Sequence, residues 1–484
     1  MPPAPRLRYN ARMAQPAEIL PDTQPTDFSV GMEATALETA AAITAAEAAP
    51  AAPPASLGWR AARDFWLVWS GQSVSLLGDG IYAIAMAWWI TATLNSATAL
   101  AGYALCWFIP AVTMPFVAGS LVDRSSRKAL IAALDAAQGL VVTLLAVLLA
   151  TGHLELWAVY AGAVVLAACG AVHGPALDAS IPNLVPAATL PRANGLYATS
   201  QSAANIAGPL FGGALVGLLG LPVTMLLNAL SFWVATGATL LARIPSPRAQ
   251  DAGDRGAVAR LIHDATYGYR WIWRHRAILY LLLIFTAGNF LIAPTYPLVT
   301  LIVKNQLAAD GAHFGWDGAL IFGIVSAAEA VGALLAALLF TRGWAFRPLA
   351  WGVCIGWVLG GVGAIGFGLS QWVVLAVVAA FFVGASGPTC NIPSQTIWMS
   401  YTPDAERGRI FSARRTIAWG IQPVSIALGG LLAEQIGAPA LFVGAGALVV
   451  VIALGNLLFN RTIRTLYAPD LAPEMAGRGI LYRR

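Results

Sequence analysis

The sequence predicts an all-α integral membrane protein with twelve transmembrane helices in two six-helix halves. Three observations carry this reading. Of the 484 residues, 58% are hydrophobic and only 11% charged, against about 25% charged in a soluble globular domain. Such a chain lacks the polar groups to cover its outer surface, so lipid must cover part of it. Twelve apolar runs follow residue 64, each near the roughly 20 residues that cross a hydrocarbon core. A polar stretch at about 244–276 divides them six and six.

In chain order, residues 1–58 are Ala- and Pro-rich with scattered acids and no long apolar run. They read as a disordered cytoplasmic tail. No compact apolar core precedes a cleavage site, so they do not read as a secretory signal. The runs then fall at 65–92, 97–119, 129–151, 155–177, 195–219 and 221–242, within an N-terminal half of 59–243. After a linker of 244–276 they resume at 278–303, 317–341, 349–369, 371–392, 410–434 and 437–459, within a C-terminal half of 277–463, and 464–484 form a second tail.

The formal charge of +5 comes almost wholly from Arg, with Lys only at 128 and 304. One set of loops holds Arg124, Arg127 and Lys128, then Arg192, Arg243 to Arg276, Arg342 and Arg347, and Arg407, Arg409, Arg414 and Arg415. The alternate loops hold almost none, Lys304 excepted. Basic loops stay in the cytoplasm, so both termini are expected there. Arg at helix ends, rather than in one stripe, is a topology signal and not a nucleic-acid footprint. Within the linker, Val258, Leu261, Ile262, Ala265, Tyr269 and Ile272 recur at three- and four-residue spacing, with Arg255, Arg260, Asp264, Arg270 and Arg274 between them. That pattern predicts an amphipathic helix joining the halves on the membrane surface, with Trp271 and Trp273 in the interfacial belt.

An internal repeat supports two halves. Gly174-Pro175 is expected to end the fourth span and Asn194-Gly195 to open the fifth. Gly387-Pro388 and Arg407-Gly408 take the same places 213 residues later. Parallel six-helix repeats with a midplane site between them mark one large transporter class.

The loop after the second span reads Gly119-Ser-Leu-Val-Asp123-Arg124-Ser-Ser-Arg127-Lys128. It resembles the signature loop of the major facilitator superfamily, with Ser126 where Gly is common. The resemblance implies a cytoplasmic latch between the halves made by Gly119, Asp123, Arg124, Arg127 and Lys128. The fifth span contains Ala204-Asn205-Ile-Ala-Gly208-Pro209-Leu-Phe-Gly212-Gly213. It looks like the family's antiporter motif, in which Gly208, Pro209, Gly212 and Gly213 give a kinked, closely packed helix. Three further stretches, Phe65 to Asp79, Pro175 to Asn194 and Gly268 to Arg276, resemble the branch of macrolide-efflux and enterobactin-exporter proteins. The resemblance spans about residues 60–462. It implies a monomeric exporter in a bacterial inner membrane, driven by proton antiport. The second half lacks a good copy of the signature loop, and the fourth span lacks the intramembrane Arg of other drug-exporter branches.

Intramembrane acids are the first site candidates. Asp79 lies roughly 21 Å along the first helix and Glu329 roughly 18 Å into the eighth, at about 1.5 Å per residue. Hydrocarbon penalises a carboxylate against its neutral acid, so either residue is a candidate to load and release a proton. Asp135, nearer the cytoplasmic face, is a third candidate and a partner for a motif Arg. Gln72, Trp88, Trp107, Gln201, Asn205, Asn289, Trp419 and Gln422 are candidates to line a substrate cavity. His173 is expected to end the fourth span with a helix-end hydrogen bond.

The four cysteines lie far apart inside apolar runs without metal spacing. No phosphate loop, His-Glu metal pattern or nucleophile elbow occurs. The sequence therefore predicts no enzyme, metal or cofactor. It predicts a proton-coupled exporter of amphipathic small molecules, drug-like or siderophore, working by alternating access. A lysophospholipid-type transporter and a non-transporting membrane sensor are the alternatives.

Overall fold

A computed structural model describes residues 63–114, 118, 121–122, 125–245, 257–343, 345–403, 406–464 and 466, with backbone alone for 257–265 and 464. The expected tails, 1–58 and most of 464–484, lie outside these, as do Gly119, Asp123 and Arg124 of the signature loop. The described residues are helical and contain no strand. Among the described residues, ten helical stretches are long and apolar enough to cross a membrane, which makes this a multi-pass membrane protein, and a shorter apolar helix spans Ala97–Thr113.

The N-terminal set is α1 (Arg63–Leu94), α2 (Ala97–Thr113), α3 (Arg127–Ala150) and α4 (Leu156–Leu184), followed by a helical stretch over Leu190–Leu241. It is broken at Gly220, whose φ of 76° and ψ of 165° are non-helical. A left-handed φ of this kind is open to Gly at little cost. We label its two arms α5 (190–219) and α6 (221–241). The linker holds α7 (Ala257–Arg274). The C-terminal set is α8 (Arg276–Ile292), α9 (Thr295–Ile302), a π turn (Val303–Leu307), α10 (Ala308–Ala312), α11 (Gly318–Thr341), α12 (Leu349–Gly368), α13 (Val373–Tyr401), α14 (Arg407–Gly420), α15 (Gln422–Ile436), α16 (Ala438–Phe459) and α17 (Arg461–Arg464).

Local chemistry sets the starts. The Ser96 hydroxyl accepts from Ala99 N at 3.2 Å to cap α2, and Asp317 caps α11 by accepting from Leu320 N at 2.8 Å. Ser126 is the N-cap of α3, a role in which a hydroxyl outperforms the commoner Gly.

The structure corrects several sequence expectations. Gly174-Pro175 and Gly387-Pro388 do not end their spans but sit inside α4 and α13. Interior Pro is tolerated in membrane helices because neighbours re-satisfy the freed backbone groups. Pro209 lies inside α5, whose end at Gly220 falls at the expected boundary between the fifth and sixth spans. The seventh and eleventh apolar runs are each divided, between α8 and α9 at Ala293-Pro294 and between α14 and α15 at Ile421. The two divided regions are tied together. Asn289 Nδ2 donates to the Ala418 carbonyl at 2.9 Å, and Ser425 Oγ donates to the Phe290 carbonyl.

The N- and C-terminal helices meet along two seams, α5 on α11 and α2 on α15. Both seams are built from small residues, which allow close backbone approach without a water-driven hydrophobic force. A Cβ on Gly323 of α11 would lie 2.7 Å from the Pro209 carbonyl of α5, and one on Gly217 of α5 would lie 2.9 Å from Asp317 Oδ2. On the other seam a Cβ on Gly430 would lie 2.5 Å from Ala101 Cβ.

Hydrogen bonds strengthen the Arg-poor end. Thr91 Oγ1 donates to Thr300 Oγ1 at 2.6 Å. Lys304 Nζ donates to the Thr91 and Ala92 carbonyls at 2.9 and 3.2 Å, neutralising the negative end of α1. Lys304 departs from the charge bias because it serves as this cap. Glu434 Oε1 accepts from Ser96 Oγ at 2.6 Å and from Thr98 N and Oγ1 at 3.0 and 3.1 Å, placing an acid at the positive end of α2.

Candidate functional site

The site is organised by the run Gly78-Asp79-Gly80 on α1. A Cβ at Gly78 would overlap the Asn228 and Ser231 side chains of α6, and one at Gly80 would lie 2.9 Å from the Gly208 Cα of α5. The two glycines admit α6 on one side and α5 on the other, and Asp79 projects between them. Its carboxyl lines two cavities. One, of about 560 Å³, is bounded by α1 and α5 and includes Gln201, Asn205 and Pro209. The other, of about 350 Å³, lies among α1, α2, α3, α4 and α6 and includes Tyr82, Tyr103, Trp107, Gln138 and Asn228. Asp79 is exposed to this internal space and has no hydrogen-bond or ion-pair partner among the described residues.

Beside it lies a buried polar chain. Asp135, 1% exposed, accepts from Gln72 Nε2 at 2.8 Å through Oδ2, and its Oδ1 is 3.0 Å from His173 Nε2. The His173 contact is close but lacks hydrogen-bond alignment, so it is an electrostatic contact rather than a directional bond. Asp79 lies within electrostatic reach of both His173 and Asp135. The expected pairing of Asp135 with a motif Arg gives way to these partners, because α4 continues past Gly174-Pro175. That continuation places His173 inside the bundle and not at a helix end. His173 is the residue that sequence reasoning undervalued. The available signal was on α1, where Gln72 and Asp79, seven residues apart, share one helix face.

Glu329 of α11 also lacks a hydrogen-bond or ion-pair partner among the described residues. Gly384 of α13 packs directly onto its backbone, and Tyr296 of α9 lies within its electrostatic reach. Tyr296 in turn lines a third cavity, of about 350 Å³, with Trp107, Phe322 and Gln422, between the N- and C-terminal sets.

The remaining candidates divide. Gln201 and Asn205 face the cavity under Asp79. Trp107 and Gln422 face the cavity between the halves. Gln72 is spent on Asp135 and Asn289 on the α14 carbonyl. Trp88 covers Gly318 at the Arg-poor end, while Trp419 is exposed on α14. The motif glycines act in packing. A Cβ on Gly212 would lie 3.0 Å from Ile81 Cα, Gly208 meets Gly80, and Gly213 meets Ala319 and Gly323. Of the latch residues, Arg127 donates from Nη1 to the Ala179 carbonyl at 2.7 Å, joining α3 to α4. Lys128 follows it in the first turn of α3.

Comparison with known proteins agrees with this architecture. The chain is similar to macrolide efflux protein A of Streptococcus pyogenes, 25% identical over 403 residues, covering 82% of this chain and 96% of that protein. It is similar to the multidrug efflux pump Tap of Mycobacterium tuberculosis, 26% identical, covering 84% and 95%. Among solved structures it shares its fold with a POT family transporter in complex with a thioalcohol-conjugated peptide. That match has a TM-score of 0.62 and 12% identity, and covers 83% of this chain and 96% of the other. Residues 68–421 match the family model of the Major Facilitator Superfamily, and the chain belongs to that superfamily of membrane transporters.

Proposed function

We propose that this protein is a proton-coupled exporter of amphipathic small molecules in a bacterial inner membrane, with both termini in the cytoplasm. The observation that carries the reading is the unpartnered Asp79 carboxyl, open to two internal cavities and next to the Asp135–His173–Gln72 chain. An ionisable group inside a membrane without a partner is costly unless it serves a pathway. Asp79 takes a proton or a cargo group in turn, and Glu329 does the same from the opposite half. The structure joined at its Arg-poor end is, on this reading, the cytoplasm-facing state. The latch of Gly119, Asp123, Arg124, Arg127 and Lys128 closes the Arg-rich end in the other state. The efflux activity of the macrolide and multidrug relatives supports export over uptake.

The test uses inverted vesicles carrying the protein, acidified inside and loaded with a pH-sensitive dye. Macrolides, cationic amphiphiles and siderophores are added in turn. Proton release that depends on one of them, and that Asp79→Asn or Glu329→Gln abolishes, is the expected result. Inserted protein that releases no protons with any compound rejects the antiport reading.

A further inference from the structure

We infer that Arg414 of α14, with the Gln395 amide of α13, forms a binding subsite for an amphiphile that carries an oxyanion, a carboxylate or a phosphate. The sequence reading places Arg414 among the loop cations. The structure puts it inside α14, seven residues past the helix start and so about 10 Å along it. Its Nη1 donates to Gln395 Oε1 at 2.7 Å and its Nη2 to Ser394 Oγ at 3.3 Å. Its Cζ lies 4.9 Å from the ring centre of Trp398 and 5.6 Å from that of Phe411. The guanidinium is thus held in place by two neutral acceptors and two rings, none of which cancels its charge. No acid pairs with it among the described residues, where the one ionisable group within its electrostatic reach is the Cys390 thiol. A cation inside a membrane span is costly, and such residues mark pathways and binding sites.

Donors remain on both side chains. A guanidinium has five N–H groups, and the two bonds use two of them. Gln395 must turn its oxygen toward Arg414, which leaves its amide N–H groups free alongside. Arg414 Nε and Gln395 Nε2 make no hydrogen bond and are not buried, so both are reachable. Paired N–H donors on a guanidinium match the two oxygens of a carboxylate or phosphate. Charge points the same way. The helices α8, α12, α13 and α14 contain no Asp or Glu, while α14 carries Arg407, Arg409, Arg414 and Arg415. Glu406, just before α14, is taken by the Tyr267 hydroxyl of α7. An oxyanion is therefore attracted here and a cation repelled. Met399, one turn from Gln395 on the same face of α13, is 48% exposed and offers apolar surface beside the donors. The inference rests on the export reading only in treating the bound anion as cargo.

The test measures equilibrium binding of radiolabelled naphthoxyacetate, an aromatic carboxylate, to the purified full chain in phosphatidylcholine nanodiscs. Naphthoxyethanol, its uncharged counterpart, serves as competitor. Saturable binding is expected that the alcohol does not displace. Arg414→Gln should weaken it about tenfold, the loss of a charged hydrogen bond. Arg414→Lys should weaken it about threefold, because an ammonium lacks the guanidinium fork. Arg415→Gln, at the exposed neighbouring position, should change it about twofold at most, since salt screens an exposed charge. Thermal unfolding of each variant shows whether it is folded, and Arg414→Lys, which keeps the charge, stands in if Arg414→Gln does not fold. Equal losses in Arg414→Gln and Arg415→Gln overturn the inference, because the anion then senses only a basic surface. Displacement by naphthoxyethanol overturns it too, as does an absence of saturable binding. Phosphatidylglycerol added to the nanodisc identifies the source of the oxyanion. Loss of the label assigns the Arg414 site to a lipid headgroup, and undisturbed binding assigns it to a soluble cargo. Binding with the expected variants but no proton release in vesicles sinks the antiport reading and leaves the subsite standing. Cargo-dependent proton release without naphthoxyacetate binding does the reverse.

Discussion

At the scale of single residues, the chemistry depends on what the smallest side chains permit. Asp79 reaches two cavities because Gly78 and Gly80 let α6 and α5 close in on either side of it. A side chain at position 80 or 208 must push one helix off the other, since a Cβ at either already lies 2.9 Å from the opposing Cα. Gly208→Val should therefore cost about 1–3 kcal/mol by overpacking, read as a lower unfolding temperature in detergent, and an unchanged temperature would show that the helices slide apart freely. Asp135 is held differently, by partners that need it. Asp135→Ala leaves the Gln72 amide buried without its acceptor and should cost about 2 kcal/mol. Asp135→Asn, which keeps an acceptor oxygen, should cost less in the same assay. The sequence displayed Asp79 plainly, because an acid deep in an apolar run has few bland explanations. It hid the partnership of His173 with Asp135, because that pair is 38 residues apart on two helices. It depends on α4 passing through Gly174-Pro175 unbroken, which no local pattern reveals.

At the scale of helices, α5 works as a wedge with two small-residue faces. Gly208 and Gly212 seat it on α1, and Gly213 and Gly217 seat it on α11. The run of glycines was legible as a packing helix, and Pro209 as a candidate kink. The break at Gly220, where φ is positive, falls between the fifth and sixth apolar runs read from the sequence, and the Pro209 carbonyl is a contact for Gly323. The divided helices were less legible, because Pro294 lies in a run without a charged residue and the Arg-rich stretch before Pro423 read as the cytoplasmic end of a single span. The wedge makes a prediction of its own. Gly323→Val would drive a side chain into the Pro209 carbonyl and loosen the α5–α11 seam at the Arg-poor end. A cysteine placed at Ser96 in that variant should react faster with a membrane-impermeant maleimide applied from the Arg-poor side, and equal rates would mean that the seam does not hold that end shut.

At the scale of the whole molecule, the two sets of helices are joined at the Arg-poor end by contacts of different kinds: the Thr91–Thr300 hydroxyl pair, the Lys304 cap on α1 and the Glu434 cap on α2. Each joins groups that lose partners when the halves separate. None is an ion pair, so separation exposes hydroxyls, carbonyls and single charges to water rather than splitting a salt bridge, and the cost stays moderate. On the export reading this end is a gate that opens in every cycle, and such a gate needs that property. Alternating access requires this end to part, and the threonine pair supplies the means to test it, because its oxygens are 2.6 Å apart. With Cys106, Cys169, Cys354 and Cys390 replaced, a Thr91→Cys, Thr300→Cys variant should oxidise to a disulfide in the observed state. Export assayed in vesicles should then fall to background and return on reduction. Transport that continues in the oxidised form would mean that cargo leaves without opening the Arg-poor end, by a lateral path to lipid, and would turn the weight of the structure toward a lipid-handling cycle.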